Sequence, residues 1–201
     1  SNSGSVSFDR SVYPVPFASA DLRTGANGES GQTESGNVTM TITVSDDDFG
    51  DDTLTTGGTG AAGTILVKLI EGATTTTCFT AGSASAKTTQ HTSSSTPEEL
   101  GPLSATEVDS GVFEVTFTVD EVQHCGTMQT ITSGDVFQVE YVDTADDSGS
   151  SSTVYDSSTF DLRTGSLSVD KDVYVLGSDM VITLTDPDLN LDGGSTESYA
   201  L

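Results

Sequence analysis

A stretch near the end of the chain repeats its beginning, and this repeat limits the folds that the chain can adopt. Residues 4–13 read GSVSFDRSVY, and residues 165–174 read GSLSVDKDVY. After a longer insert in the first copy, residues 42–48 (ITVSDDD) match residues 182–188 (ITLTDPD). A spacing of roughly 160 residues is too long for a solenoid and is typical of tandem globular domains. The sequence therefore predicts one complete domain and the opening of a second.

Strand patterns predict that residues 1–165 form an all-β, immunoglobulin-like β-sandwich with long polar loops, and that residues 166–201 are the first strands of a second, truncated repeat. Apolar and polar residues alternate at residues 37–45 (NVTMTITVS) and 112–120 (VFEVTFTVD), as expected of half-buried strands. About seven such strands are most simply arranged as two packed antiparallel sheets. The Thr- and Ser-rich residues 74–95 are predicted to form a long loop with a short strand at Cys78 and Phe79. The seven strands are expected at residues 6–9, 12–17, 37–45, 64–71, 112–120, 135–142 and 152–162.

The charge of the chain is extreme, because 31 acidic residues stand against 6 basic ones, for a net charge of −25. Nucleic acid is excluded as a partner, since binding it requires a cationic surface. A bare anionic membrane surface is excluded for the same reason, and no apolar run approaches the ~20 residues of a membrane span. The acidity favours cations, bound specifically or held as a diffuse cloud. A second explanation, compatible with the first, is that acidity keeps an extracellular protein soluble in salty water.

The two cysteines lie in the same copy of the repeat, at Cys78 and Cys125. A single pair of cysteines in a Ser/Thr-rich domain that we expect to be secreted predicts a disulfide bond. The alternative is two unrelated buried thiols. Zinc is not supported, because His124 is adjacent to Cys125 and His91 lies in a polar stretch, which is not a zinc-ligand spacing.

Acidic residues cluster directly after the matching strands of the two copies. Residues 46–52 read DDDFGDD, and residues 186–192 read DPDLNLD. Carboxylates in one turn repel one another unless a cation lies among them, and Asp and Asn oxygens are ligands that calcium prefers. Leu191 occupies the place of the EF-hand glycine, so the second stretch is not an EF-hand. A solvated acidic turn is the alternative to a calcium or other divalent-cation site. The predicted ligands are Asp46, Asp48, Asp51, Asp52, Asp186, Asp188, Asn190 and Asp192.

One N-glycosylation sequon, Asn37-Val38-Thr39, opens a predicted strand, so Asn37 is a candidate glycosylation site.

The sequence contains no recognisable catalytic motif. The sequence has two histidines, no G-x-S-x-G elbow and no phosphate-binding loop, so we predict that the protein is not an enzyme. Paired carboxylates would suit a glycosidase, but they are abundant in any chain this acidic, and there is no Trp to stack on a sugar.

Two stretches resemble a known family. Residues 7–17 (SFDRSVYPVPF) and 182–190 (ITLTDPDLN) are similar to the S-layer proteins of ammonia-oxidising marine archaea of the Nitrosopumilus type. The resemblance covers both repeat starts and the Asp/Thr/Gly-rich texture, but not residues 57–110. It implies tandem immunoglobulin-like domains, secretion, a two-dimensional lattice of identical copies around the cell, cation binding and glycosylation. Such acidic lattices are thought to enrich ammonium near the membrane.

The sequence thus predicts a structural S-layer protein of the archaeal cell surface, whose acidic walls bind and concentrate ammonium and calcium. One alternative is a calcium-stabilised extracellular adhesin or filament subunit built from the same tandem immunoglobulin-like domains. A third interpretation is a non-catalytic module of a secreted enzyme. The domains that accompany this chain in its full-length gene would separate the three.

Overall fold

The protein is described by a computed structural model that covers residues 2–17, 36–48, 53–54, 65–82 and 97–196. Within these ranges the chain forms β-strands and one short 3-10 helix, η1, at Pro187–Leu189, with no α-helix. The strands are β1 (Ser5–Phe8), β2 (Val12–Pro14), β3 (Val38–Ser45), β4 (Thr53–Leu54), β5 (Ile65–Glu71), β6 (Thr74–Ala81), β7 (Glu98–Leu100), β8 (Leu103–Ala105), β9 (Val112–Val119), β10 (Val122–Cys125), β11 (Thr127–Thr130), β12 (Val136–Asp143), β13 (Ser152–Asp161), β14 (Ser166–Val169) and β15 (Ile182–Thr185).

Two sheets enclose one apolar core, so the fold is an all-β sandwich, as the strand pattern predicts. The first sheet has the order β1-β3-β9-β8-β4, and the second has the order β2-β13-β12-β5-β6-β7. Neighbouring strands are antiparallel, except that β2 is parallel to β13 and β7 is parallel to β6. The finer assignment, an immunoglobulin-like domain, stays a prediction.

The alternating residues of the strands build the core. On β3 the side chains of Val38, Met40, Ile42 and Val44 are buried, and the threonines between them face outward. Aromatic rings from both sheets fill the centre of the sandwich. Phe79 on β6 lies 5.3 Å from Phe117 on β9, measured between ring centroids. Such tilted contacts between aromatic rings stabilise a core beyond the burial of their area.

Each of the seven predicted segments contains a strand, but the prediction for residues 74–95 is wrong at its start. Thr74–Ala81 is a full strand, β6, which pairs with β5 from end to end with one register shift at Cys78. Threonine is β-branched and favours strands when a neighbouring edge is present, so its abundance indicated a strand as much as a loop. The short strands β4, β7, β8, β10 and β11 carry too little periodicity to be recognised from the sequence.

The disulfide bond between Cys78 and Cys125 is confirmed. Cys78 lies on β6 and Cys125 ends β10, and their Cα atoms are 4.1 Å apart. Both residues are fully buried. The bond therefore fastens the β10–β11 hairpin to the six-stranded sheet across a sequence separation of 47 residues.

The repeat in the sequence is also a repeat of local structure. In the first copy Val6 pairs with Val44, and in the second Leu167 pairs with Leu184, which is the same register. Both copies also contain the same side-chain hydrogen bond, in which a tyrosine hydroxyl donates to the aspartate four residues before it. These pairs are Tyr13 with Asp9 and Tyr174 with Asp170.

The two hairpins differ in what covers them. The apolar side chains of β1 and β3 are buried under the second sheet, whereas Leu167, Val169, Ile182 and Leu184 on β14 and β15 are exposed. Residues 166–169 and 182–185 thus take up the strand pairing of a sandwich, and no strand among the described residues covers their apolar side chains. That they open a second sandwich stays a prediction.

Candidate metal centre

Three acidic side chains meet at one end of the sandwich. Asp46 and Asp48 follow β3, and Asp143 is the last residue of β12. One carboxylate oxygen of each lies within 4.8 Å of those of the other two. Within the described part of the chain, no other group of three His, Cys, Asp or Glu residues meets that distance. Because β3 and β12 belong to different sheets, the cluster bridges the sandwich.

Hydrogen bonds fix the orientation of the Asp46 carboxylate. The hydroxyl of Tyr141, on β12, donates to Oδ2 of Asp46 at 2.6 Å. The backbone N–H of Asp48 donates to Oδ1 of Asp46 at 2.9 Å. The backbone of Asp46 is anchored as well, since its N–H donates to the carbonyl of Gly111 at 2.7 Å. The Asp46 carboxylate thus accepts one hydrogen bond from the second sheet and one from the turn that follows β3.

Backbone amides hold Asp143 in the same way. The N–H of Gly4 donates to Oδ2 of Asp143 at 2.7 Å, and the N–H of Ala145 donates to Oδ1 at 2.9 Å. Gly4 lies very close to the cluster, because a Cβ atom there would stand 2.8 Å from Cε1 of Tyr141 and 3.2 Å from Oδ2 of Asp46. The start of the chain is therefore packed against the acids, and a side chain at position 4 would displace them.

The cluster concentrates negative charge where water has little access. Asp46 is 1% exposed and Asp143 is fully buried. Among the described residues, neither forms an ion pair with a Lys or Arg side chain. The pKa of the Tyr141 hydroxyl is raised well above its usual value by burial, by its hydrogen bond to Asp46 and by the nearby carboxylate charges. Buried carboxylates without a counter-ion are costly, so a bound cation would stabilise this arrangement.

The predicted ligands of the second stretch begin with the same local geometry and then diverge. Asp186 accepts a hydrogen bond from the N–H of Asp188 at 3.0 Å, as Asp46 does from Asp48. Here, however, the N–H of Arg163 donates to both oxygens of Asp188, at 3.0 and 2.9 Å, and its Nε lies 3.8 Å from Oδ1. A guanidinium group thus stands beside Asp188 in the second copy.

The two remaining predicted ligands of the second stretch contact other groups. The side chain of Asp192 accepts hydrogen bonds from Gly194 N–H at 2.8 Å and from Ser195 Oγ at 2.7 Å. These bonds lower the pKa of Asp192, and the charge of Arg10 lowers it further. The backbone carbonyl of Asn190 accepts from Arg10 Nη1 at 2.8 Å. The structure therefore brings Asp46 and Asp48 together with Asp143, and it does not gather the acids of residues 186–192 into a similar group.

Four residues need separate comment. The predicted ligands Asp51 and Asp52 lie outside the described residues. Asp143 was not among the predicted ligands, although in the sequence it directly follows the strand predicted at residues 135–142, so the same pattern of acids at strand ends includes it. Only the stacking of the sheets shows that it faces Asp46. Asn37 is exposed at the start of β3, and its glycosylation stays a prediction.

Fold and site together define the class: an all-β sandwich protein with a cluster of two buried acids and one exposed acid that could hold a metal ion. No protein-family description matches the chain, and no curated protein matches it significantly. Among the described residues, no helix has the length and apolar character needed to cross a membrane.

Proposed function

We propose that this protein is a structural S-layer protein of the archaeal cell surface. In this proposal, β-sandwich units assemble with copies of the same chain into a two-dimensional lattice, and their acidic surfaces bind and concentrate ammonium and calcium. The observation that carries the proposal is the junction between the two copies of the repeat. Only residues 162–165 separate β13 from β14. Units joined by so short a connection form a stiff series rather than freely moving beads.

The charge supplies the mechanism of ion enrichment. With 31 acids and 6 basic residues, the surface attracts cations and repels anions within about a Debye length, ~8–10 Å at moderate salt and less in seawater. Openings between neighbouring molecules must therefore be narrow, or closely lined with acids, for the effect to reach their centres. The resemblance of residues 7–17 and 182–190 to archaeal S-layer proteins supports the same assignment.

Calcium is the ion that we propose for the cluster of Asp46, Asp48 and Asp143. Three carboxylates supply three of the six to eight hard oxygen ligands that calcium takes, and its flexible coordination accepts backbone carbonyls and water for the others. The donor set fits, because it consists of oxygens alone. Two of the three acids are buried, and no Lys or Arg side chain in the described part of the chain forms an ion pair with either. Bound there, calcium would tie the end of β3 to the end of β12 and so brace one end of the sandwich.

The calcium proposal is tested by thermal unfolding of the full chain over a wide range of free calcium. A ligand that binds only the folded state raises the melting temperature, and the rise grows with the concentration of free ligand. We expect such a rise for the native chain and none for Asp143→Asn, whereas Asp172→Asn, a substitution at an exposed acid, should respond as the native chain does. A melting temperature that is independent of calcium in the native chain would refute the site.

The lattice proposal is tested by electron microscopy of the purified chain and of cell envelopes that contain it. Ordered sheets are expected. Filaments would instead favour an adhesin or filament subunit, and dispersed single particles in both preparations would contradict assembly altogether. If sheets form, the partition of ammonium into them should fall when the carboxylates are chemically neutralised, and an unchanged partition would refute ion enrichment.

A further inference from the structure

The loop that follows β15 returns to the first unit. The carbonyl of Leu191 accepts a hydrogen bond from the N–H of Thr39 at 2.9 Å. Thr39 lies on β3 beyond the end of β1, whose pairing stops at Phe8 opposite Ile42. Leu191 therefore takes up a hydrogen-bonding position on the edge of β3 that β1 leaves open, and an open strand edge is a ready place for another segment to pair. The Leu191 side chain is 5% exposed and belongs to the core of the first unit.

Arg10 contacts the same loop from the first unit. Its Nη1 donates to the carbonyl of Asn190 at 2.8 Å, and its guanidinium carbon lies 5.4 Å from the centre of the Tyr13 ring. A Cβ atom on Gly193 would stand 2.9 Å from Nε of Arg10. The loop backbone at Gly193 therefore lies directly against the guanidinium group, and a larger residue there would push the two apart.

The second copy of the motif provides a natural comparison. Lys171 occupies the position that corresponds to Arg10, 3.7 Å from Asp170 and 5.6 Å from the centre of the Tyr174 ring. Its side chain is 56% exposed, against 16% for Arg10. Both basic residues thus contact the aspartate and the tyrosine of their own motif. Among the described residues, it is Arg10 that also binds the backbone of the other copy, at Asn190.

We infer that Arg10 and the open end of β3 form a docking surface for residues 187–193, and that this docking holds the second hairpin in one orientation on the first unit. The partner that this surface recognises is a turn that presents two successive backbone carbonyls, one apolar side chain and a glycine. Arg163 shapes the turn, since its Nη2 donates to the carbonyl of Pro187 at 3.2 Å. The inference does not depend on lattice formation or on bound calcium.

The docking is tested by NMR on the full chain, with ¹⁵N relaxation to follow tumbling and hydrogen exchange to follow individual amides. In the native chain, the amides of β14 and β15 should tumble together with those of β1 and β3. In Arg10→Ala the amides of β14 and β15 should tumble faster. The Thr39 amide should exchange about ten- to a hundredfold faster, because the charge-assisted hydrogen bond from Arg10 to Asn190 is lost and the adjacent bond from Thr39 to Leu191 is lost with it. Lys171→Ala is the matched control and should leave both measurements unchanged.

Amides of β12 report whether the first unit stays folded in each variant. Should Arg10→Ala fail to fold, Gly193→Ala decides the question, because it forces the loop and the Arg10 guanidinium apart and leaves the sequence of the first unit unchanged. Independent tumbling of the hairpin in the native chain would overturn the inference. So would a variant at position 10 or 193 that stays folded with native relaxation and native Thr39 exchange.

Discussion

The hydroxyl of Tyr141 lies 2.6 Å from Oδ2 of Asp46 and joins the two sheets of the sandwich through a fully buried hydrogen bond. Tyr141 belongs to β12, and Asp46 follows β3, 95 residues earlier in the chain. This contact orients a carboxylate of the acidic cluster, so it links the stability of the fold to the geometry of the candidate metal centre.

Removing that hydroxyl should destabilise the protein. Tyr141→Phe leaves a buried carboxylate oxygen without its donor, which should lower the free energy of unfolding by about 2–3 kcal/mol. Tyr155→Phe is the control, because Tyr155 is 56% exposed and a surface change of this kind is expected to stay within ~0.5 kcal/mol. Urea unfolding followed by circular dichroism, with and without calcium, measures both. Equal stabilities for the two variants would contradict the structural role of the bond.

Stability should fall at alkaline pH because of two buried tyrosines. Burial and a hydrogen bond to an aspartate raise the pKa values of Tyr13 and Tyr141 well above the usual value of a tyrosine. Above a pH of about 10 the unfolded chain loses these protons while the folded chain keeps them. The free energy of unfolding should therefore be insensitive to these groups below that pH and decrease above it by about 1.4 kcal/mol per pH unit for each tyrosine.

The measurement is urea unfolding at several pH values from 8 to about 11.5, with tyrosinate absorbance recorded in parallel. Replacing both residues, as Tyr13→Phe with Tyr141→Phe, should flatten the decrease, although it lowers stability at neutral pH. A decrease of the same steepness in this double variant would show that other groups cause the alkaline loss.

The disulfide bond should contribute strongly to stability. It closes a loop with a sequence separation of 47 residues, for which the chain-entropy treatment gives about 4 kcal/mol. Replacing both cysteines, as Cys78→Ala with Cys125→Ala, should lower the free energy of unfolding by that order, with an added loss from the two buried side chains. Urea unfolding of the oxidised and the reduced native chain provides the comparison without a mutation. A difference below about 1 kcal/mol would contradict the expectation.

The same substitution at equivalent positions of the two copies should have unequal effects. Ile42 and Ile182 occupy matching places in the repeat, but Ile42 is fully buried and Ile182 is 60% exposed. Ile42→Ala should cost about 2–5 kcal/mol, because it opens a cavity in the core. Ile182→Ala should change the free energy of unfolding by no more than ~0.5 kcal/mol. Global unfolding of both variants tests this, and a large loss for Ile182→Ala would mean that the second hairpin is covered in solution.

Much of the fold could be predicted because its main signals are local. The alternation along residues 38–44 shows which side chains of β3 enter the core, and a period of two residues needs no knowledge of the partner strands. The cysteine pair and the matching starts of the two repeats are likewise visible in the residues themselves. The Thr-rich β6 was predicted mainly as a loop, because its pairing with β5 comes from a neighbouring strand and not from its own pattern.

The candidate site depended on contacts between distant parts of the chain. The sequence determined that acids follow the strands, and it marked Asp46 and Asp186 as equivalent. Tertiary structure decided that Asp143 faces Asp46 across the sandwich, whereas Arg163 stands beside Asp188 in the second copy. The physical reason is that a strand's pattern specifies which face is buried, but sheet stacking determines which side chains meet at its end. The same holds for Leu191, whose burial against β3 follows from the docking of one unit on the other.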